Sequence, residues 1–130
     1  MHIKEVKKDN LTCRVYANRD EMGKAAAQDA AKTIRELLKT QDEINMVFAA
    51  APSQNDVLKH LLEEDVEWGK INAFHMDEYI GLEDKFEKTF AYYLKTTIFD
   101  KVNLKSVNYV GSGDVETVCK NYTELLSSLV

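Results

Sequence analysis

The run INMVFAAA, Ile44 to Ala51, does most to fix what this chain can fold into. It is apolar apart from Asn45, has the length of a strand, and is closed by Pro52. A strand without a polar face has nothing to offer water. It therefore suits a parallel sheet, where helices cover both faces. Parallel neighbours need crossovers long enough to hold a helix, and the flanking sequence supplies them.

LTCRVYA, Leu11 to Ala17, alternates as a half-buried strand, with Leu11, Cys13, Val15 and Ala17 on one face. Asn18 with Glu21 three residues on has the form of a capping box. MGKAAAQDAAKTIRELLKT then predicts a long helix with Met22, Ala26, Ala30, Ile34, Leu37 and Leu38 along its apolar stripe. After Pro52, the spacing of Val57, Leu58, Leu61 and Leu62 predicts a second helix, and KINAFHM a third strand. Phe90, Tyr93, Leu94, Ile98 and Phe99 group on one side of a third helix. SVNYVGSG is a short strand ending in a glycine turn, and Asp114 opens a last helix. Four strand–helix alternations predict the α/β class: a Rossmann-like, doubly wound parallel sheet in three α/β/α layers, one domain over residues 1–130. Trp68 is expected to anchor its loop against the sheet edge.

The net charge of −5, with basic residues scattered, argues against binding a nucleic-acid backbone. No apolar run approaches the roughly 18 residues of a membrane span. The N-terminus lacks the apolar centre of a secretory signal, so the expected location is the cytoplasm. Cys13 and Cys119 are expected to be free, mostly buried thiols. With no CxxC pair, and with His2, His60 and His75 lacking ligand spacing, no metal site is expected.

In such sheets ligands bind at the carboxyl ends of the strands. Two loops fall there, AAAPSQND and HMDEYIGLED. Asp77 in the second sits on a rigid strand end, where partial desolvation would suit a carboxyl to moving protons. The plainer alternative is a helix-capping or solvated carboxylate. Glu78, diverging from its neighbour in an extended segment, reads as structural or solvent-facing. His75 lies either on the ligand side or in the core, where a satisfied structural imidazole is the simpler reading. Ser53 and the backbone of PSQND either meet a phosphate or merely cap a helix. The loop lacks the glycines of most phosphate loops. GSG at 111–113 is too short to be a nucleotide fingerprint.

The segment AFHMDEYIGL resembles the FNMDEYVGL-type motif of glucosamine-6-phosphate deaminases (isomerases), relatives of 6-phosphogluconolactonases. VFAAAPS, TFAYYLKTTIFDKVNL, VNYVGSGD and CKNYTELL resemble further family segments in the same order, so the likeness runs from about Leu11 onward. It implies an amino-sugar phosphate substrate, opened, isomerised from aldose to ketose, and released as fructose 6-phosphate plus ammonia. Asp77 would carry the proton between adjacent carbons. Pro52, Ser53, Gln54, Asn55, His75, Glu78 and Tyr79 would contact the substrate. No metal or organic cofactor is implied.

Two departures stand out. The family loop reads like PTGGTP. Here Gln54 and Asn55 replace its glycines, and Asp56 puts a carboxylate where a phosphate is expected. His75 stands where asparagine is common. Family members are also about twice as long, with their ring-opening histidine and phosphate-binding lysine downstream. The fold is thus expected to be a truncated N-terminal portion, weakly active or inactive alone, with an exposed edge that invites a second copy. The rival expectations are a sugar-phosphate binding module without turnover, and a 6-phosphogluconolactonase-like hydrolase.

Overall fold

The computed structural model describes residues 2–129. The chain runs β1 (Lys4–Lys8), β2 (Leu11–Val15), α1 (Arg19–Leu37), β3 (Ile44–Phe48), α2 (Asn55–Leu61), β4 (Ile71–His75), α3 (Phe90–Thr97), β5 (Ser106–Asn108) and α4 (Val115–Ser128). β3, β4 and β5 form a parallel sheet in that order. The α/β class and parallel sheet follow the sequence expectation.

One strand does not. β2 does not join the parallel sheet. It pairs antiparallel with β1, with Val6 opposite Cys13 and Lys4 opposite Val15. All residues of both strands are exposed, including the Leu11–Cys13–Val15 row expected to face the core. The alternation identified a strand, but alternation does not name a partner. The other row points at α1, where Arg14 meets Asp29 at 3.3 Å. Lys4–Lys8, too lysine-rich to read as a strand, gains its place only by pairing. Cys13 and Cys119 are both free, but exposed, contrary to expectation.

α1, α2 and α3 cover one face of the sheet. Ala27 and Ala31 of α1, Leu58 and Leu61 of α2, Leu94 of α3 and Ile98 at its C-cap close over Phe48 and Ala73. Asn18 caps α1, its side chain accepting from the Glu21 amide. The buried stripe of α1 is Gly23–Ala27–Ala31–Ile34, turned by one residue from the expected 22–26–30 row, and Leu37 is exposed. The reason lies at Gly23, where α2 comes so close that a Cβ would stand 2.6 Å from Cβ of Asp56. Small residues allow the two helices to approach, and that approach sets the rotation.

α4 lies over the opposite face. The Tyr122 ring packs edge-on against Phe74, and its hydroxyl donates to the His75 carbonyl at 2.6 Å. This face is polar across all three strands. Asn108 donates to Ser106, Ser106 to Asn72, Asn72 to Asn45, and Asn45 to the Leu129 carbonyl, over 2.7–3.1 Å. Every member of this row is therefore partnered, as buried amides require. β3 is an edge strand, so its second face is only partly covered and Val47 remains 58% exposed. The expectation that this strand is buried on both faces therefore fails; it is β4, the central strand, whose five residues are all buried. Trp68 packs against the core from a short turn before β4. Among the described residues, no helix is long and apolar enough to cross a membrane.

Candidate active site

The carboxyl ends of β3 and β4 carry the two loops singled out in the sequence. The Met76 amide donates to the Phe48 carbonyl at 3.1 Å, extending the pairing of β3 and β4 by one residue. Asp77 is next. It is exposed, and among the described residues its carboxylate has no hydrogen-bond or ion-pair partner. The expectation of partial burial is corrected: the strand-end position presents Asp77 to solvent, uncommitted. The capping role belongs to its neighbour.

Glu78 turns inward, with its side chain 7% exposed. Its Oε1 accepts from the Tyr79 and Phe90 amides at 2.9 and 3.0 Å, and its Oε2 accepts from the Ala91 amide at 2.9 Å. Phe90 and Ala91 open α3, and the next free amide, Tyr92, is met by the side chain of the N-cap Thr89 at 3.1 Å. Glu78 is thus a structural carboxylate at a helix N-terminus, where backbone N–H groups and the helix dipole favour negative charge. The solvent-facing option fails; the structural one holds.

His75 is fully buried. Its Nδ1 accepts from the Val110 amide at 3.2 Å, so the neutral ring carries its proton on Nε2. Nε2 lies 3.4 Å from Glu78 Oε2, close enough for electrostatic attraction but short of a well-formed hydrogen bond. Burial holds the imidazole below its ordinary pKa, although the Glu78 and Asp77 charges pull it upward. Tyr109 stacks edge-on against the same ring. The structural reading of His75 therefore holds, and the imidazole does not reach solvent.

Tyr79 is exposed and packs on Phe90. It lines two adjoining cavities of about 130 and 170 Å³ that share Glu78, Tyr79, Glu83, Gly111 and Ser112. Each alone is below the roughly 300–1,000 Å³ usual for small-molecule sites. Neither is lined by Asp77 or by residues 52–55. The glycine turn, dismissed as a nucleotide fingerprint, forms a cavity wall instead. Gly111 and Gly113 hold φ of 92° and 108°, the left-handed region that only glycine enters freely.

The other loop is held from within. Pro52–Gln54 forms a single 3₁₀ turn leading into α2. The Gln54 side-chain amide donates to the Ala49 carbonyl. The Tyr93 hydroxyl of α3 meets the Ala51 carbonyl at 2.9 Å and also the Asn55 side-chain oxygen. Gln54 and Asn55 are thus engaged by the chain, which leaves Ser53 exposed between Pro52 and Gln54. Asp56, the carboxylate expected to stand where a phosphate binds, is paired with Arg19: Nε lies 2.9 Å from Oδ2, and the same guanidinium donates to the Pro52 carbonyl at 3.1 Å. Arg19 and Tyr93 were not legible as parts of this loop, because each reaches it across more than thirty residues of sequence. The structure brings His75, Glu78 and Tyr79 together in one cluster and Gln54 with Asn55 in another. No group of three potential metal ligands occurs among the described residues.

No family model matches the chain. The glucosamine-6-phosphate deaminase of Clostridium perfringens (strain SM101) is 29% identical over 116 residues, 83% of this chain and 46% of its own. This chain resembles the glucosamine-6-phosphate deaminases. The fold agrees. A monomeric glucosamine-6-phosphate deaminase superposes with a TM-score of 0.74 at 21% identity, covering 86% of this chain and 48% of that one. The 6-phosphogluconolactonase of Plasmodium vivax reaches 0.81 at 12% identity, covering 97% and 45%. The chain spans about half the length of the relatives it matches.

Proposed function

We propose that this chain acts on an amino-sugar phosphate in the manner of a glucosamine-6-phosphate deaminase, with Asp77 as the group that moves the proton. One observation carries the reading. Asp77 is the only carboxylate of the MDEY segment left uncommitted, and it stands at the carboxyl end of a buried parallel strand. Isomerisation needs a base able to take a proton from C2 of the opened sugar and return it to C1. A single carboxylate on a rigid strand end serves both carbons without moving far. With water, the 2-amino aldose then gives the 2-ketose, fructose 6-phosphate, and ammonia.

The charge distribution supports an orientation. The cleft that follows Asp77 in the chain, lined by Glu78, Tyr79, Glu83 and Tyr109, has no Lys or Arg among its lining residues, which suits the sugar and its ammonium rather than a phosphate. The anionic end goes to the Pro52–Asn55 loop, where the Ser53 hydroxyl is free and Arg19 is near. Gln54 and Asn55 contribute there by fixing the loop. The lysines and arginines are spread too thinly for a nucleic-acid partner, and the substrate is a small molecule. Ammonia release from glucosamine 6-phosphate, compared between the wild type and Asp77→Asn, tests the reading. Saturable binding without release, weakened by Ser53→Ala, would support a binding module instead.

A further inference from the structure

The buried pair His75–Glu78 has no place in the proton transfer just described, yet it ties together every element around Asp77. Glu78 holds the first turn of α3 through the Phe90 and Ala91 amides and the backbone of its own turn through the Tyr79 amide. His75 holds the 109–113 loop through the Val110 amide and presents Nε2 to Glu78. On the other side of Asp77, the Met76 amide is anchored on β3. Asp77 is therefore fixed by its backbone on both flanks while its side chain has no partner.

We propose that Glu78 and His75 are positioning residues: a buried carboxylate–imidazole brace that fixes the backbone of Asp77 between α3 and the 109–113 loop. The chemistry of the brace is specific. Three N–H donors converge on Glu78, so only a group with acceptors on both terminal atoms satisfies them all. A glutamine in its place would turn an N–H₂ donor toward at least one backbone donor. The imidazole must accept at Nδ1 and carry its proton on Nε2, which faces Glu78 at 3.4 Å, and only the neutral ring does both. Its charged form would face Val110 with a second donor and lose that contact. Burial, which disfavours the imidazolium, works in the same direction.

The effect on turnover rests on the function proposed above; the effect on structure does not, and the experiment separates them. In the wild-type chain, ¹⁵N resonances of His75 should show an unprotonated Nδ1 and a protonated Nε2, and the Phe90 and Ala91 amides should exchange slowly. In Glu78→Gln those amides should exchange about tenfold faster or more, and the Asp77 and Tyr79 amide resonances should move. Ammonia release should fall in kcat by a larger factor than KM rises, since Glu78, although it lines the cleft, has both carboxylate oxygens committed to backbone amides. A proton on Nδ1 in the wild type would overturn the proposal even if the variant fails to fold. So would a folded Glu78→Gln whose Asp77 and α3 amides match the wild type. A wild type with the predicted tautomer and exchange pattern but no ammonia release would leave the brace standing and remove the deaminase reading.

Discussion

Replacing Gly23 by alanine reverses the sign that helix propensity alone would give. Gly23 lies inside α1, where Gly→Ala is worth up to about 1 kcal/mol of stabilisation in an open helix. Here the added Cβ would stand 2.6 Å from Asp56 Cβ, 2.7 Å from its carbonyl carbon and 2.9 Å from its carbonyl oxygen. Carbon atoms pack at about 3.5–4.0 Å, so α2 must retreat by roughly 1 Å. Two of the three obstructing atoms are backbone and the third is a Cβ, so no rotamer change can move any of them. The retreat opens the seam of Ala27 and Ala31 against Leu58 and Leu61 and stretches the Arg19–Asp56 pair. Overpacking of this kind costs about 1–3 kcal/mol. Set against the propensity gain, a net loss of about 1–2 kcal/mol is expected. Urea unfolding followed by circular dichroism should show the midpoint falling by about 0.5–1 M at an unchanged slope, given a slope of roughly 2 kcal/mol/M. A midpoint at or above the wild type would refute the reasoning, because it would mean that the two helices are not locked at this contact.

Other expectations follow from single contacts. His60 is buried between Asp20 at 2.9 Å and Glu63 at 3.2 Å, while Lys59 also pairs with Asp20; hydrogen bonding to Asp20 first, and then to Glu63, raises its pKa. A raised imidazolium pKa gives stability that is complete below the unfolded value of about 6.5 and is lost as pH rises through the folded value. The wild type should therefore lose stability relative to His60→Gln as pH rises from about 6 to 8, measured by denaturant midpoints; parallel profiles would contradict the pairing. Asp20 itself is held below the usual carboxylate range by Lys59 and then His60, so its contribution should disappear on acidification below about pH 4. Tyr93→Phe removes the hydroxyl that holds Ala51 and Asn55 and should cost about 1 kcal/mol, with faster amide exchange confined to residues 51–56. Unchanged exchange there would show that the loop is held by other means.

What could be read from the sequence was what is local. The capping of α1 by Asn18 and of α4 by Asp114, the buried β4 strand, and the Leu94–Ile98 face of α3 all follow from spacing within a few residues. The same reasoning singled out Asp77, because a carboxylate two residues after a fully buried strand is unusual in itself, and the role given to it is the proposal made above. It failed where a partner lies far along the chain. β2 was recognised as a strand but assigned to the wrong sheet, since its pairing depends on the lysine-rich β1. Glu78 closes on amides 12 and 13 residues away, and Arg19 reaches Asp56 across 37. Neither leaves a periodic signal. The exposed cysteines were misread because burial is common for free thiols in general and says nothing of the two-stranded ribbon outside the core, which carries Cys13, or of α4, none of whose residues is buried, which carries Cys119.

The most direct test of the central claim is ammonia release from glucosamine 6-phosphate by the wild type and by Asp77→Asn, assayed side by side. Asp77→Asn keeps size and exposure and removes only the ability to take a proton. For a chain spanning about half of its relatives' length, the account predicts weak but saturable release by the wild type and its loss to background in the variant. Equal rates in the two proteins, or hydrolysis of 6-phosphogluconolactone in place of ammonia release, would contradict it.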